Sequence, residues 1–164
     1  MNNNLDRIPW IEKYRPRKID DMYLDKSILD EIKNCIYNKE IPNMILTGTP
    51  GIGKTTTIMC LIRELYGPHA SEAVLELNAS DENGIDVVRN KIIKFASVEV
   101  GSADPDYPSP PFKIIILDEA DAMTSEAQTA LKKVMETTFN ITRFVIICNY
   151  ESKIIDAIKS RCAD

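Results

Sequence analysis

Eight consecutive residues, Gly48-Thr49-Pro50-Gly51-Ile52-Gly53-Lys54-Thr55, place three glycines, a lysine and a threonine in the order G-x-x-x-x-G-K-[ST]. The glycines let the backbone curl so that its N–H groups and the start of the following helix face phosphate oxygens. Lys54 offers a cation to the β- and γ-phosphates of a nucleotide, and Thr55 offers Mg²⁺ a hydroxyl. Thr49 and Ile52 occupy variable slots whose identities say little about chemistry. The expected nucleotide cradle nevertheless runs without a break from Gly48 to Thr56.

Much further along, the apolar run Ile114-Ile115-Ile116-Leu117 ends in Asp118-Glu119. Adjacent side chains at a strand end point differently, so Asp118 is expected in the Mg²⁺ shell while Glu119 faces the attacking water, orients it and accepts its proton. Taken alone, Asp118, Glu119 and Asp121 are equally an acid-rich approach to a helix beginning near Thr124. Coupled to the phosphate loop, the catalytic reading is favoured. Asn149 follows another apolar run, where an amide reaches both water and γ-phosphate or simply makes a turn. Arg161, in Ser160-Arg161-Cys162, is by spacing alone no more than a surface arginine.

These residues need a scaffold that brings distant strand ends together. Apolar segments alternate between the periods of strands and helices, the pattern of a doubly wound α/β domain. The opening, Pro9 to Met22, is irregular and rich in Trp, Tyr, Arg and Pro. Helices are expected over Lys26 to Asn38, stopped by Pro42, over Lys54 to Tyr66, ended by Gly67 and Pro68, over Gly84 to Val98, and over Thr124 to Met135 with Thr124 or Ser125 as N-cap. Strands are expected at Met44 to Thr47, Ala73 to Asn78, Lys113 to Leu117 and Phe144 to Cys148, the last two central and buried on both faces. Four prolines mark Ser102 to Pro111 as an extended loop.

The chain has 164 residues and a net charge of −5, the size of one domain and the wrong sign for a protein coated in basic charge. Nucleic-acid contact would have to come from a local patch or a partner. Cys35, Cys60, Cys148 and Cys162 lie far apart and His69 is the single histidine, so buried thiols of a reducing compartment are expected rather than a metal site. No apolar run reaches the roughly 20 residues of a membrane span, and the start lacks the layout of a signal peptide, so a soluble intracellular protein is expected.

Taken together the motifs resemble those of the small subunits of replication factor C, the AAA+ clamp loader. The likeness is carried by Trp10-Ile11-Glu12-Lys13-Tyr14-Arg15-Pro16, Ile41-Pro42-Asn43, Leu77-Asn78-Ala79-Ser80-Asp81, Asp118-Glu119-Ala120-Asp121, Ala130-Leu131-Lys132-Lys133-Val134-Met135-Glu136, Thr142-Arg143-Phe144, Cys148-Asn149-Tyr150 and Ser160-Arg161-Cys162. The resemblance implies a P-loop NTPase core of the AAA+ type, a three-layer sandwich around a mostly parallel sheet. It implies an ATP- and Mg²⁺-dependent subunit of a hetero-oligomeric ring that loads a sliding clamp onto primer–template DNA. Tyr14, Arg15 and Pro16 would line the adenine side, Asn149 would be the sensor, and Arg161 an arginine finger completing a neighbour's site. Arg89 and Lys91 match basic positions on a helix that tracks DNA, although a solvated helix face accounts for them equally well.

Two departures stand out: Asn83 replaces an arginine expected before Gly84-Ile85, and Lys132-Lys133 replaces an arginine pair, keeping charge but losing the planar fork. Residues 1–164 correspond to the nucleotide-binding core alone, with 1–22 as its adenine-side segment. The family's last core strand, helical lid and collar lie beyond Asp164, so a truncated, non-catalytic ATP-binding module that joins or blocks a ring is the alternative. The missing strand would sit beside Met44 to Thr47, leaving that strand as an apolar edge. A nuclear location follows from the family for a cellular host; a large DNA virus is the other source the motifs admit.

Overall fold

The computed structural model describes residues 9, 14–80, 84–98, 100–101 and 103–162. Trp10 to Lys13 and Asp81, which carry part of the expected resemblance, and Asn83, one of its departures, lie outside the described residues.

Among the described residues four strands, β1 (Met44–Thr47), β2 (Val74–Asn78), β3 (Lys113–Asp118) and β4 (Thr142–Cys148), form one sheet in the order β1-β4-β3-β2, every pairing parallel. β3 and β4 are the central pair and are buried nearly throughout, as their unbroken aliphatic runs require. β1 is an edge strand, in line with the expected apolar edge beside Met44 to Thr47.

Among the described residues six helices flank the sheet: α1 (Lys26–Asn38), α2 (Lys54–Tyr66), α3 (Ala70–Ala73), α4 (Ile85–Ala96), α5 (Ser125–Thr138) and α6 (Asp156–Lys159). Alternation along the strands sorts the core into two layers. Ile115, Leu117, Phe144, Ile146 and Cys148 pack with Val88, Ile92, Leu131, Val134 and Ile158 from α4, α5 and α6. Ile114, Ile116, Val145 and Ile147 pack on the other face with Ile58, Leu61, Ile62 and Leu65 from α2, and with Ala73. The three-layer α/β sandwich expected from the sequence is therefore the observed architecture.

Local chemistry explains the boundaries. Asp25 accepts from Ser27 N to cap α1, and Thr124 accepts from Ala127 N to cap α5. α1 ends at Asn38 as expected, but what stops it is corrected: not Pro42 but the C-cap Lys39, whose left-handed backbone (φ 56°) shares its N–H between Cys35 O and Ile36 O of the last turn. α1 also buries none of its residues fully; Leu29, Ile32, Cys35 and Ile36 pack partly on the core while Ile28 stays 46 % exposed. The expectation of four buried thiols is likewise corrected, since only Cys60 and Cys148 are buried and Cys35 and Cys162 are half-buried. The one-turn helices α3 and α6 were not expected, because four residues are too few to show a helical period.

Candidate active site

All the strands run the same way, so Thr47, Asp118 and Cys148 end at one edge of the sheet. That edge is where open parallel sheets bind ligands. The glycine loop leaves β1 there and returns as α2, whose N-cap is Gly53 at φ 95°. Gly48, Gly51 and Gly53 all have positive φ, the conformation in which a Cβ is strained. A Cβ on Gly48 would also collide with Ile52 Cδ1.

Lys54 draws the loop together. Its Nζ donates to Gly48 O at 2.6 Å, to Thr49 O at 3.0 Å and to Asn149 Oδ1 at 3.1 Å. One ammonium thus connects the loop to the end of β4, where the sequence reading left Asn149 open between sensor and turn. From the neighbouring residue, Thr55 Oγ1 donates to Asp118 Oδ2 at 3.1 Å. A hydroxyl and a carboxylate oxygen in contact beside a cation-bearing loop are the oxygen donors that Mg²⁺ takes. The other oxygen, Asp118 Oδ1, accepts from Glu119 N at 2.8 Å, which fixes the carboxylate's orientation.

Glu119 is exposed and has left-handed backbone geometry, φ 53° and ψ 37°. A non-glycine residue pays about 1–2 kcal/mol for that conformation, and such strain gathers at functional sites. It turns the chain sharply out of β3 directly after Asp118. Cys148, just before Asn149, is buried; desolvation first, then the charges of Asp121 and Glu151, push its thiol up to about 11. It is an inert core thiol.

The segment before α1 docks on the helix that follows the loop. Arg15 Nε donates to Thr56 Oγ1 at 3.0 Å, Cys60 Sγ donates to Pro16 O at 3.3 Å and Ile19 N donates to Glu64 Oε1 at 2.8 Å. Arg15 and Pro16 are thereby held beside the first two turns of α2, and the preceding Tyr14 is 68 % exposed.

Other expected site residues lie apart from this cluster. Arg161 donates from Nη1 to Ala157 O at 2.6 Å and pairs through Nη2 with the Glu136 carboxylate of α5, which Lys132 Nζ approaches at 3.8 Å. Arg89 lies on the exposed side of α4 and pairs with Asp86 at 3.1 Å; Lys91 is exposed on the same helix. Spacing gave no sign of two further polar anchors. Gln128 is 2 % exposed and binds Met123 O, Lys153 O and Ile155 N. Asp121, read from sequence only as acid before a helix, accepts from two backbone amides after β4. Among the described residues no cluster of His, Cys, Asp and Glu forms a ready-made metal cage, and no helix is long and apolar enough to cross a membrane.

A family model described as the ATPase family associated with various cellular activities (AAA) matches residues 44–164. The chain is 50 % identical to replication factor C subunit 2 of Schizosaccharomyces pombe, an alignment covering 95 % of this chain and 46 % of the relative. It is 48 % identical to replication factor C subunit 4 of Homo sapiens, covering 99 % and 45 %. It is 49 % identical to the replication factor C small subunit of Methanococcus vannielii, covering 94 % and 47 %. The chain therefore spans about half the length of the curated relatives it matches. Among solved structures, a RuvB mutant of Thermotoga maritima superposes with a TM-score of 0.61 at 13 % identity, over 91 % of this chain and 47 % of that one. A DNA polymerase III gamma-subunit-related protein of the same organism gives 0.61 at 20 % identity, over 82 % and 43 %. At these identities the likeness is one of fold.

Proposed function

The chain belongs to the AAA family of ATPases, and from that premise we propose that it binds and hydrolyses ATP as a small subunit of a clamp loader in DNA replication. The observation that carries the proposal is the convergence of Lys54, Thr55, Asp118 and Asn149 at the carboxyl edge of the sheet, with Glu119 beside them. Its support at the level of the whole protein is the similarity to replication factor C subunits across nearly the full chain.

In this reading the amides of the loop and Lys54 hold the β- and γ-phosphates. Mg²⁺, held by Thr55 and Asp118, would neutralise charge that builds up on those phosphates. Glu119 orients water in line with the γ-phosphorus and accepts its proton, while the Asn149 amide holds the γ-phosphate oxygen and the water in register. Tyr14, Arg15 and Pro16 cover the adenine side. Arg161, held on α5 away from its own chain's cluster, serves a neighbouring subunit in a hetero-oligomeric ring, where its guanidinium meets γ-phosphate charge. Arg89 and Lys91 of α4 contact the DNA backbone, the sliding clamp is the loaded partner, and in a nucleated cell the assembly works in the nucleus.

The test is steady-state ATP turnover of wild type, Lys54→Ala, Glu119→Gln and Arg161→Ala, alone and with partner loader subunits, sliding clamp and primed DNA. Lys54→Ala should lose nucleotide binding. Glu119→Gln should bind ATP and lose at least about 100-fold in turnover. Arg161→Ala should bind ATP normally but depress turnover in the assembled ring. Turnover that survives Glu119→Gln would overturn the mechanism, and turnover indifferent to partners and DNA would overturn the clamp-loader assignment.

A further inference from the structure

The acidic cluster after β3 contains one carboxylate that the nucleotide reading does not use. Asp121 sits in the short 3-10 turn Ala120–Ala122, closed by Ala122 N to Glu119 O at 2.9 Å and Met123 N to Ala120 O at 3.1 Å. Ala120, 2 % exposed, anchors this turn in the core. The turn is therefore a rigid mount that begins at Glu119. From it, Asp121 Oδ2 accepts from Asn149 N at 3.3 Å and from Tyr150 N at 3.2 Å, the first two residues after β4.

At that point β4 has ended, and these two N–H groups have no ladder partner among the described strands. One carboxylate oxygen takes both. On the same residue, the side-chain amide of Asn149 meets Lys54. The proximity of the Asp121 charge is also felt at Cys148, whose thiol it helps to raise.

We propose that Asp121 is a positioning residue: it ties the backbone of Asn149 to the turn that carries Glu119, so that the amide serving the γ-phosphate and the carboxylate serving the water keep one separation. The proposal rests on the ATPase reading of the site. Its physical content is that β3 and β4 are paired only up to Leu117 and Ile146. Beyond them the two functional loops would move independently without a polar tie. A backbone acceptor could not do this work, because a single carbonyl would have to reach both amides from a fixed strand; a charged carboxylate on a turn reaches both and binds each more strongly.

The experiment uses the full chain as wild type, Asp121→Ala, Asp121→Asn, Asn149→Ala and the Asp121→Ala/Asn149→Ala double variant. Two quantities are read: amide hydrogen exchange at Asn149 and Tyr150, and the ratio of affinities for ATP and ADP by displacement of a fluorescent nucleotide. Asp121→Ala should speed exchange at those two amides while Val145 and Ile146 keep their protection, and should lower the ATP-to-ADP ratio by about 10-fold, the low end of what outer supporting groups contribute. The double variant should be no worse than the worse single one, because both changes remove the same positioned amide. Asp121→Asn, which keeps an acceptor oxygen, should stay within about 3-fold of wild type. Should the alanine chain not fold, Asp121→Ser is held to the same outcome. Unchanged exchange, or additive losses in the double variant, would overturn the tie. A wild type that binds neither nucleotide would overturn the ATPase reading and the proposal with it. A wild type that prefers ATP, beside an Asp121→Ala chain with the same preference, would overturn the tie alone.

Discussion

Replacing Gln128 by leucine should be among the most damaging changes available outside the nucleotide cluster. The side chain is 2 % exposed on α5. Its Nε2 donates to Lys153 O at 2.8 Å and to Met123 O at 3.2 Å, while its Oε1 accepts from Ile155 N at 2.8 Å. One amide thus joins the turn after β3, helix α5 and the segment leading into α6. Leucine has nearly the same volume and leaves no large cavity, so packing changes little. Three partly buried backbone groups lose their partner. Each such loss costs about 1–3 kcal/mol, the carbonyls at the low end because each keeps a second lone pair for water. The sum is about 4 kcal/mol, from which the added apolar contact returns about 1 kcal/mol. A net loss of about 3 kcal/mol should appear in urea unfolding as a midpoint lowered by roughly 1.5–2 M at unchanged slope. Thr129→Ala is the control, since its exposed hydroxyl only bonds back to Ser125 O at 2.9 Å; it should stay within about 0.5 kcal/mol. A Gln128→Leu loss below about 1 kcal/mol would refute the reasoning, for it would mean that the three bonds are not made together in solution.

Other outcomes follow from single residues. Cys148 has a folded pKa raised from 9.0 to about 11 by burial, so its contribution to stability is complete below pH 9 and is lost as pH rises toward 11. Unfolding free energy should fall by roughly 2 kcal/mol across that window, and Cys148→Ala should remove that part of the slope. Gly48→Ala should weaken nucleotide binding more than Gly51→Ala: both carry positive φ, but only at Gly48 does the added methyl meet Ile52, and adding Ile52→Ala should recover part of the difference in a fluorescent-nucleotide titration. On the proposed DNA surface, Arg89→Ala should weaken primer–template binding about equally for all sequences and reduce the salt slope by about 1. An undiminished salt slope would leave Arg89 as half of a surface ion pair with Asp86.

Much of this molecule was legible in the sequence where periodicity or a long motif spoke. The expected limits of α1 and α2, Lys26 to Asn38 and Lys54 to Tyr66, match the observed helices. Aliphatic runs such as Ile114 to Leu117 announced the central strands because a strand buried on both faces has no polar alternation to hide it. Lys54, Thr55 and Asp118 were legible as partners because the phosphate loop and the acidic strand end are chemical patterns with a fixed structural setting. What remained hidden was held by single side chains reaching backbone atoms far along the chain. Nothing in the spacing of Gln128 or Asp121 reveals that Ile155 N or Asn149 N will lie within reach. The exposure of α1 was equally hidden, because a helical stripe such as Ile28, Ile32 and Ile36 reports which face is apolar and not what covers it.

The β1–β4 pairing has a consequence for how the molecule comes into being. Met44 aligns with Val145 and Thr47 with Cys148, and Asn43 Oδ1 accepts from Phe144 N across 101 residues of chain. β2 and β3 are much closer neighbours in sequence, so their pairing closes a shorter loop and is entropically cheaper. The strand bearing the glycine loop must wait for the longest closure in the sheet, and the cluster of Lys54 with Asn149 can form only after that closure. The contact of Lys54 with Asn149 should thus be among the last to form in folding. Nucleotide, which recognises only the finished arrangement, should slow unfolding while leaving the early folding steps at their own pace.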